Sequence, residues 1–129
     1  MTTLRIFLHV LGASVWVGGQ IVLGALVPTL RGIGGDAPQR AARQFGRVAW
    51  PFYLLVVATG IWNLLKIDVG DQDTAFHATL GIKLLLVALS GVAAFVHQST
   101  DSPAMRGATG AGGFAAGLGA LYCGVLLVT

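Results

Sequence analysis

Ionisable side chains stand inside otherwise apolar stretches of this sequence, and an ionisable group at membrane depth is costly and often functional. The candidate residues, with the polar or thiol side chains near them, are His9, His77, Lys83, His97, Asn63 and Cys123. Neutral imidazole binds haem iron, copper or zinc, and the core of a helical bundle commonly holds such a site. The residue types therefore indicate metal or haem binding. Hydrolytic chemistry is disfavoured, because the apolar stretches contain no carboxylate and no Ser-His-Asp arrangement.

The apolar stretches that carry these residues have the composition and length of membrane spans. The chain has 129 residues, of which 55% are hydrophobic and 10% are charged, and its mean hydropathy is +0.79. Soluble domains carry about 25% charged residues. Four stretches approach the ~20 residues that cross a bilayer, at about 4–27, 48–66, 77–97 and 110–128. We predict an all-α integral membrane protein, a four-helix transmembrane bundle that forms a single domain over residues 1–129.

The sequence also marks where the first span ends. Pro28 and the glycine-rich residues 32–35 are expected to end it, because proline and glycine interrupt helices or follow their last turn.

A soluble bundle with apolar faces is the alternative interpretation, but a surface helix needs a polar stripe. Residues 84–96 have only Ser90 as a polar side chain. The membrane interpretation is therefore preferred.

Charged loop residues predict the orientation of the spans. Loops one and three carry arginines and loop two carries aspartates: Arg31, Arg40, Arg43, Arg47 and Arg106, against Asp68, Asp71 and Asp73. The positive-inside rule therefore predicts a multi-pass plasma-membrane protein with both termini extracytoplasmic. Arg40, Arg43 and Arg47 follow helical spacing, which predicts a short helix whose basic face contacts lipid headgroups. The net charge of +3 is too small and too scattered to indicate nucleic-acid binding.

Small residues predict how the helices pack. In the fourth span they recur at intervals of three and four residues, at Gly110, Gly113, Gly117, Ala120 and Gly124. The first span carries a comparable series, at Gly12, Ala13, Gly19 and Gly24. Small residues let helix backbones approach closely in lipid. The two stripes predict close helix contacts, either inside the bundle or between copies in a homo-oligomer.

The depth of the polar residues predicts one shared site. In the predicted orientation, all four helices contribute to a layer near the outer surface, formed by His9, Asn63, His77, Lys83 and Cys123. His9 shares a helix face with Gly12 and Trp16, which predicts that its ring points into the bundle. Lys83 and His97 also share a face, but His97 lies near the cytoplasmic surface, outside this layer.

Three functions remain open on these residues. In the first, His9 and His77 ligate a b-type haem beside Trp16 and Asn63, with Lys83 as a charge partner, for electron transfer or haem handling with a redox partner. In the second, the ligands His9, His77 and Cys123 bind copper for transport across the membrane. In the third, the chain is a structural subunit that docks through its small-residue stripes. The scarcity of methionine and cysteine favours haem, because membrane copper handlers favour soft sulfur ligands.

Several segments resemble known families of membrane proteins. The segments FLHVLGASVWVGG, FGRVAWP, TGIWNLL and LGIKLLLVALSGVAAFVH, at residues 7–19, 45–51, 59–65 and 80–97, are similar to the copper-resistance D (CopD) family. The opening helix and the later lysine also resemble the HemJ type of protoporphyrinogen oxidase, a four-helix haem-binding membrane protein. This resemblance implies roles for His9 and Lys83 in haem binding and activity. If the chain is an enzyme, the resemblance implies a haem-linked membrane oxidoreductase.

Overall fold

A computed structural model describes residues 2–129, and these residues form long helices and no strand. The helices are α1 (Thr2–Ile33), α2 (Ala37–Leu65), α3 (Thr74–Ser99) and α4 (Pro103–Val128). Each of the four is long and apolar enough to cross a membrane. The predicted all-α class with four spans is therefore confirmed, and every helix is longer than the span predicted for it.

The described residues divide into two compact units, of which the first ends at Ile67 and the second is Asp68–Thr129. The first unit pairs α1 with α2, and the second pairs α3 with α4. Only a few residues join the two helices of each pair, so each pair is an antiparallel helical hairpin. The single domain over residues 1–129 stays a prediction.

The turn between α1 and α2 is made by glycine rather than by proline. Gly34 and Gly35 have φ angles of +87° and +58°, a left-handed conformation that glycine adopts without a steric penalty. Pro28 lies inside α1, so the expectation that it ends the helix is wrong. Transmembrane helices tolerate proline where local adjustments satisfy the backbone groups that its ring releases.

The basic residues of the first loop lie on the beginning of α2. The expectation of a separate short helix is wrong, because α2 is continuous over 29 residues. At 1.5 Å per residue α2 is about 43 Å long, whereas a bilayer hydrocarbon core is about 30 Å thick. Arg40, Arg43 and Arg47 are all exposed on this first part of the helix. The excess length is consistent with a basic end that extends into the headgroup region.

A π-helical segment, Ser14–Gly18, interrupts the regular hydrogen bonding of α1. Its buried residues are Trp16 and Val17, each with 6% of its surface exposed. Just beyond it, the Gln20 side chain donates a hydrogen bond from Nε2 to the Trp16 carbonyl at 2.9 Å. Single π-helical turns inside α-helices occur frequently at functional sites.

The second hairpin is packed through small residues. Side-chain caps begin its helices, since Asp73 accepts from the Phe76 amide and Ser102 accepts from the Met105 amide. A methyl group added at Gly113 would come within 2.9 Å of the Ala93 Cβ. The small-residue stripe of α4 therefore lines the contact with α3, whereas packing between copies of the chain stays a prediction.

Candidate functional site

His9 is held against α2 by a hydrogen bond that indicates which nitrogen of its ring carries the proton. Its Nδ1 lies 2.9 Å from Thr59 Oγ1, and that hydroxyl lies 2.6 Å from the Leu55 carbonyl oxygen. The hydroxyl proton is directed to the carbonyl, so the imidazole Nδ1–H donates to Thr59 Oγ1. In a neutral imidazole this tautomer carries its lone pair on Nε2, which is the form that ligates a metal.

The surroundings of His9 restrict the orientation of its ring. Thr59 is buried, with 3% of its surface exposed, and His9 is half-buried. Next to Thr59, Gly60 lies beside the ring: a Cβ built there would be 3.4 Å from the His9 Cε1. The lack of a side chain at Gly60 lets the imidazole edge approach the backbone of α2. Metal-ligating histidines are typically oriented in this way by a hydrogen bond from the other ring nitrogen.

A second polar pair joins the same helices one turn from His9. Arg5 donates from its terminal guanidinium nitrogen to Asn63 Oδ1 at 2.9 Å. Arg5 precedes His9 by four residues and Asn63 follows Thr59 by four, so the two hydrogen-bonded pairs are neighbours along both helices. We call the four residues of these two pairs the polar ladder. Asn63 thus lies one turn of α2 from Thr59, the partner of His9, and its side-chain oxygen accepts from Arg5.

Aromatic rings pack together further along the first hairpin. The Trp16 ring centroid lies 5.1 Å from that of Trp50 and 4.6 Å from that of Tyr53. Trp50 and Tyr53 are 5.4 Å apart in an edge-to-face arrangement. Trp16 lies seven residues beyond His9, about 10 Å along a helix. These contacts give Trp16 a packing role in the core of the hairpin.

In the second unit the structure brings Lys83 and Cys123 together. A Cβ built at Gly124 would lie 3.3 Å from Lys83 Nζ, so the ammonium group lies over the α4 backbone beside Cys123. Cys123 is a free, buried thiol. Lys83 is half-buried and is directed toward α4 rather than along the surface of its own helix.

His77 lies at the beginning of α3 and bonds to the loop that precedes it. Its Nε2 lies 2.6 Å from the Val69 carbonyl oxygen, and because a carbonyl only accepts, Nε2–H is the donor. The side chain is exposed. This arrangement is typical of a residue that fastens a helix start, and a metal would have to use Nδ1.

His97 lies in the last turn of α3, at the end of the second hairpin where the chain turns into α4. Its Nδ1–H donates to the Arg106 carbonyl at 2.7 Å, and its ring lies against Gly110, where a Cβ would be 3.1 Å from His97 Cε1. Lys83 and His97 therefore both face α4, as their spacing predicted. The contacts of His97 fasten α3 to the first turns of α4.

The candidate residues are thus divided between the two units. The first unit holds His9, Trp16 and Asn63, and the second holds His77, Lys83 and Cys123. Within neither unit do the described residues include a group of three His, Cys, Asp or Glu side chains that could hold a metal ion. The shared outer layer, and the copper ligand set of His9, His77 and Cys123, stay predictions.

Sequence reasoning missed two members of the polar ladder, Thr59 and Arg5. Thr59 begins one of the segments that resemble the CopD family but was given no role, and Arg5 was given no part in the site. The signal available was the matched spacing of four residues, from Arg5 to His9 on α1 and from Thr59 to Asn63 on α2. In an antiparallel hairpin, this matched spacing brings Arg5 to Asn63 once His9 is in contact with Thr59.

The chain has a weak likeness to a known protein. A protein of Aquifex aeolicus (strain VF5), which bears the name "uncharacterized protein", is 33% identical over 99 residues. The matched region covers 70% of this chain and 66% of that protein, just under two thirds of its length. No family model matches the chain. No solved structure matches it either.

Proposed function

We propose that this chain is a CopD- or HemJ-like membrane protein that binds a b-type haem through His9, in electron transfer or haem handling. The observation that carries the proposal is the hydrogen bond from His9 Nδ1 to Thr59 Oγ1. It orients the imidazole, and in the neutral ring it puts the proton on Nδ1 and the lone pair on Nε2, the nitrogen that would ligate a haem iron. A bound haem supplies one-electron redox chemistry, and the protein supplies the ligand, its orientation and a low-dielectric setting.

The ligand count supports haem over copper. A haem is held by one or two axial side chains, since the porphyrin supplies the other donors. A copper site built from protein groups alone needs several donors in one place, and neither unit has three among its described residues. The half-buried imidazole of His9 therefore fits a haem better than a copper ion. Contributions from His77 and Lys83 remain part of the prediction from sequence.

The test of this proposal is the spectrum and metal content of the protein purified from membranes in mild detergent. We expect a Soret band, sharp reduced-minus-oxidised bands and about one haem per chain by pyridine haemochrome assay. Copper at a similar ratio without haem would support the copper alternative instead. Protein that contains neither, and that binds neither haem nor copper when they are added back, would leave the structural-subunit hypothesis.

We also propose that both termini are extracytoplasmic. The proposal is supported by the exposed arginines at the beginning of α2 and by Arg106 at the beginning of α4, because the positive-inside rule favours cytoplasmic turns at both positions. Fusions of alkaline phosphatase and of green fluorescent protein to Thr129 test this. Phosphatase activity without fluorescence is expected, and the reverse result would invert the orientation.

A further inference from the structure

The end of the first hairpin carries a positive charge for which its own unit provides no partner. Arg5 is half-buried and its guanidinium is fixed against α2 by the bond to Asn63. Among residues 1–67 the only carboxylate is that of Asp36. Asp36 follows the far end of α1, roughly 40 Å from Arg5 at the helical rise. No carboxylate of this unit can therefore neutralise Arg5.

The bond to Asn63 argues against a simple surface role for this arginine. An arginine near a helix end can extend its head to the lipid headgroups, a motion that costs little. Here the side chain instead reaches across to the neighbouring helix, where the amide oxygen of Asn63 accepts one of its five donors. The planar guanidinium has a fixed orientation as a result, which suits recognition of a carboxylate by two parallel hydrogen bonds.

The position of Arg5 relative to His9 indicates the shape of the ligand. The two residues are four apart on α1, about 6 Å along the axis, and Arg5 is nearer to the helix start. A ligand that reaches both needs a metal-bearing apolar body and an anionic edge directed toward the membrane surface. A haem has this shape, since its two propionates lie together on one edge of the porphyrin.

We propose that Arg5, positioned by Asn63, binds a propionate of the porphyrin whose iron His9 ligates. The inference rests on the proposed function and extends it from the iron to the carboxylate edge. In this arrangement the polar ladder has two roles: the pair of His9 and Thr59 holds the metal centre, and the pair of Arg5 and Asn63 holds the anionic edge. Hydrogen bonds to charged groups contribute enough to change affinity by about 10- to 100-fold.

Metal-free porphyrins separate the carboxylate from the iron. Apoprotein in nanodiscs would be titrated with protoporphyrin IX and with its dimethyl ester, which lacks the negative charges. We expect the wild-type protein to bind the diacid at least about tenfold more tightly than the diester. Arg5→Gln should bind both porphyrins equally, with the affinity that the wild type has for the diester. Arg40→Gln, which removes an exposed arginine at the opposite end of the hairpin, should keep the preference.

The outcomes distinguish the rival explanations. A wild-type protein that binds diacid and diester equally would overturn the inference without reference to any variant. A preference for the diacid that survives in Arg5→Gln would also overturn it. So would an Arg5→Gln protein that binds phosphatidylglycerol vesicles more weakly but binds both porphyrins as the wild type does, because that result would assign Arg5 to lipid phosphate. Haem tests the proposed function separately. If haem binds no more tightly than the metal-free porphyrin, His9 does not ligate the iron, while a preference for the diacid would still support the role of Arg5.

Discussion

The two helical hairpins of this protein share one kind of contact and differ in another. In the first, side chains meet across the helices in hydrogen-bonded pairs, Arg5 with Asn63 and His9 with Thr59. Both hairpins also bring glycine backbones directly against side chains of the facing helix, at Gly12 and Gly19 in the first and at Gly113 and Gly119 in the second. Small residues give close packing but offer few functional groups. The comparison therefore assigns a packing role to the second hairpin and the candidate chemistry to the first.

The largest expected effect is on packing in the second hairpin. Gly117 is buried on the α4 stripe, whereas Leu118 is 40% exposed. Gly117→Leu should destabilise the protein by about 3 kcal/mol or prevent its assembly, because overpacking forces the helices apart. Leu118→Ala should change stability much less. Thermal melts in detergent measure both, and equal melting temperatures would remove the small-residue stripe from the account.

An intermediate effect is expected from the hydroxyl that orients His9. Thr59→Val keeps the side-chain shape but removes the acceptor of the Nδ1–H bond, so haem affinity should fall about 10- to 100-fold. Thr109→Val is the control, because Thr109 Oγ1 also donates to the carbonyl four residues earlier and Thr109 belongs to the second hairpin. Haem titration of both variants gives the ratio. Similar losses in the two would mean that the hydroxyls act on helix stability rather than on the imidazole.

The smallest effect is expected at the turn of the second hairpin. His97→Ala removes the bond from Nδ1 to the Arg106 carbonyl and should cost about 1 kcal/mol of stability. Ser99→Ala is the control, since its hydroxyl donates to the Phe95 carbonyl within α3 itself. Urea or thermal unfolding in detergent is the measurement. A loss of several kcal/mol at His97 would show that polar contacts hold the second hairpin as well, which would weaken the contrast between the two.

The sequence predicted the helices better than it predicted their details. Spans follow from apolar length and the lack of charge, and these are local properties that each stretch carries by itself. The continuation of α1 through Pro28 was not predicted, because a break depends on whether the surroundings satisfy the released backbone groups. The π-helical segment at Ser14–Gly18 was also missed, since pattern analysis assumes a constant helical repeat.

For the candidate site too, the sequence predicted what depends on one helix and missed what depends on the contact between two helices. The facing of His9 toward a neighbouring helix followed from its spacing to Gly12 and Trp16, a property of one helix. Its partner Thr59 could not be deduced in the same way, because the pairing depends on the register between α1 and α2. Arg5 was missed for the same reason, because its contact with Asn63 depends on the same register.

The central claim is that the first hairpin ligates the haem through His9, and one pair of variants tests it most directly. His9→Ala and His97→Ala each remove one imidazole, and both rings donate through Nδ1. Reduced-minus-oxidised spectra and copper content would be recorded at equal protein concentration. We predict that His9→Ala abolishes the haem bands while His97→Ala retains them at the wild-type level. A His97 variant that loses the haem while the His9 variant keeps it would contradict the account.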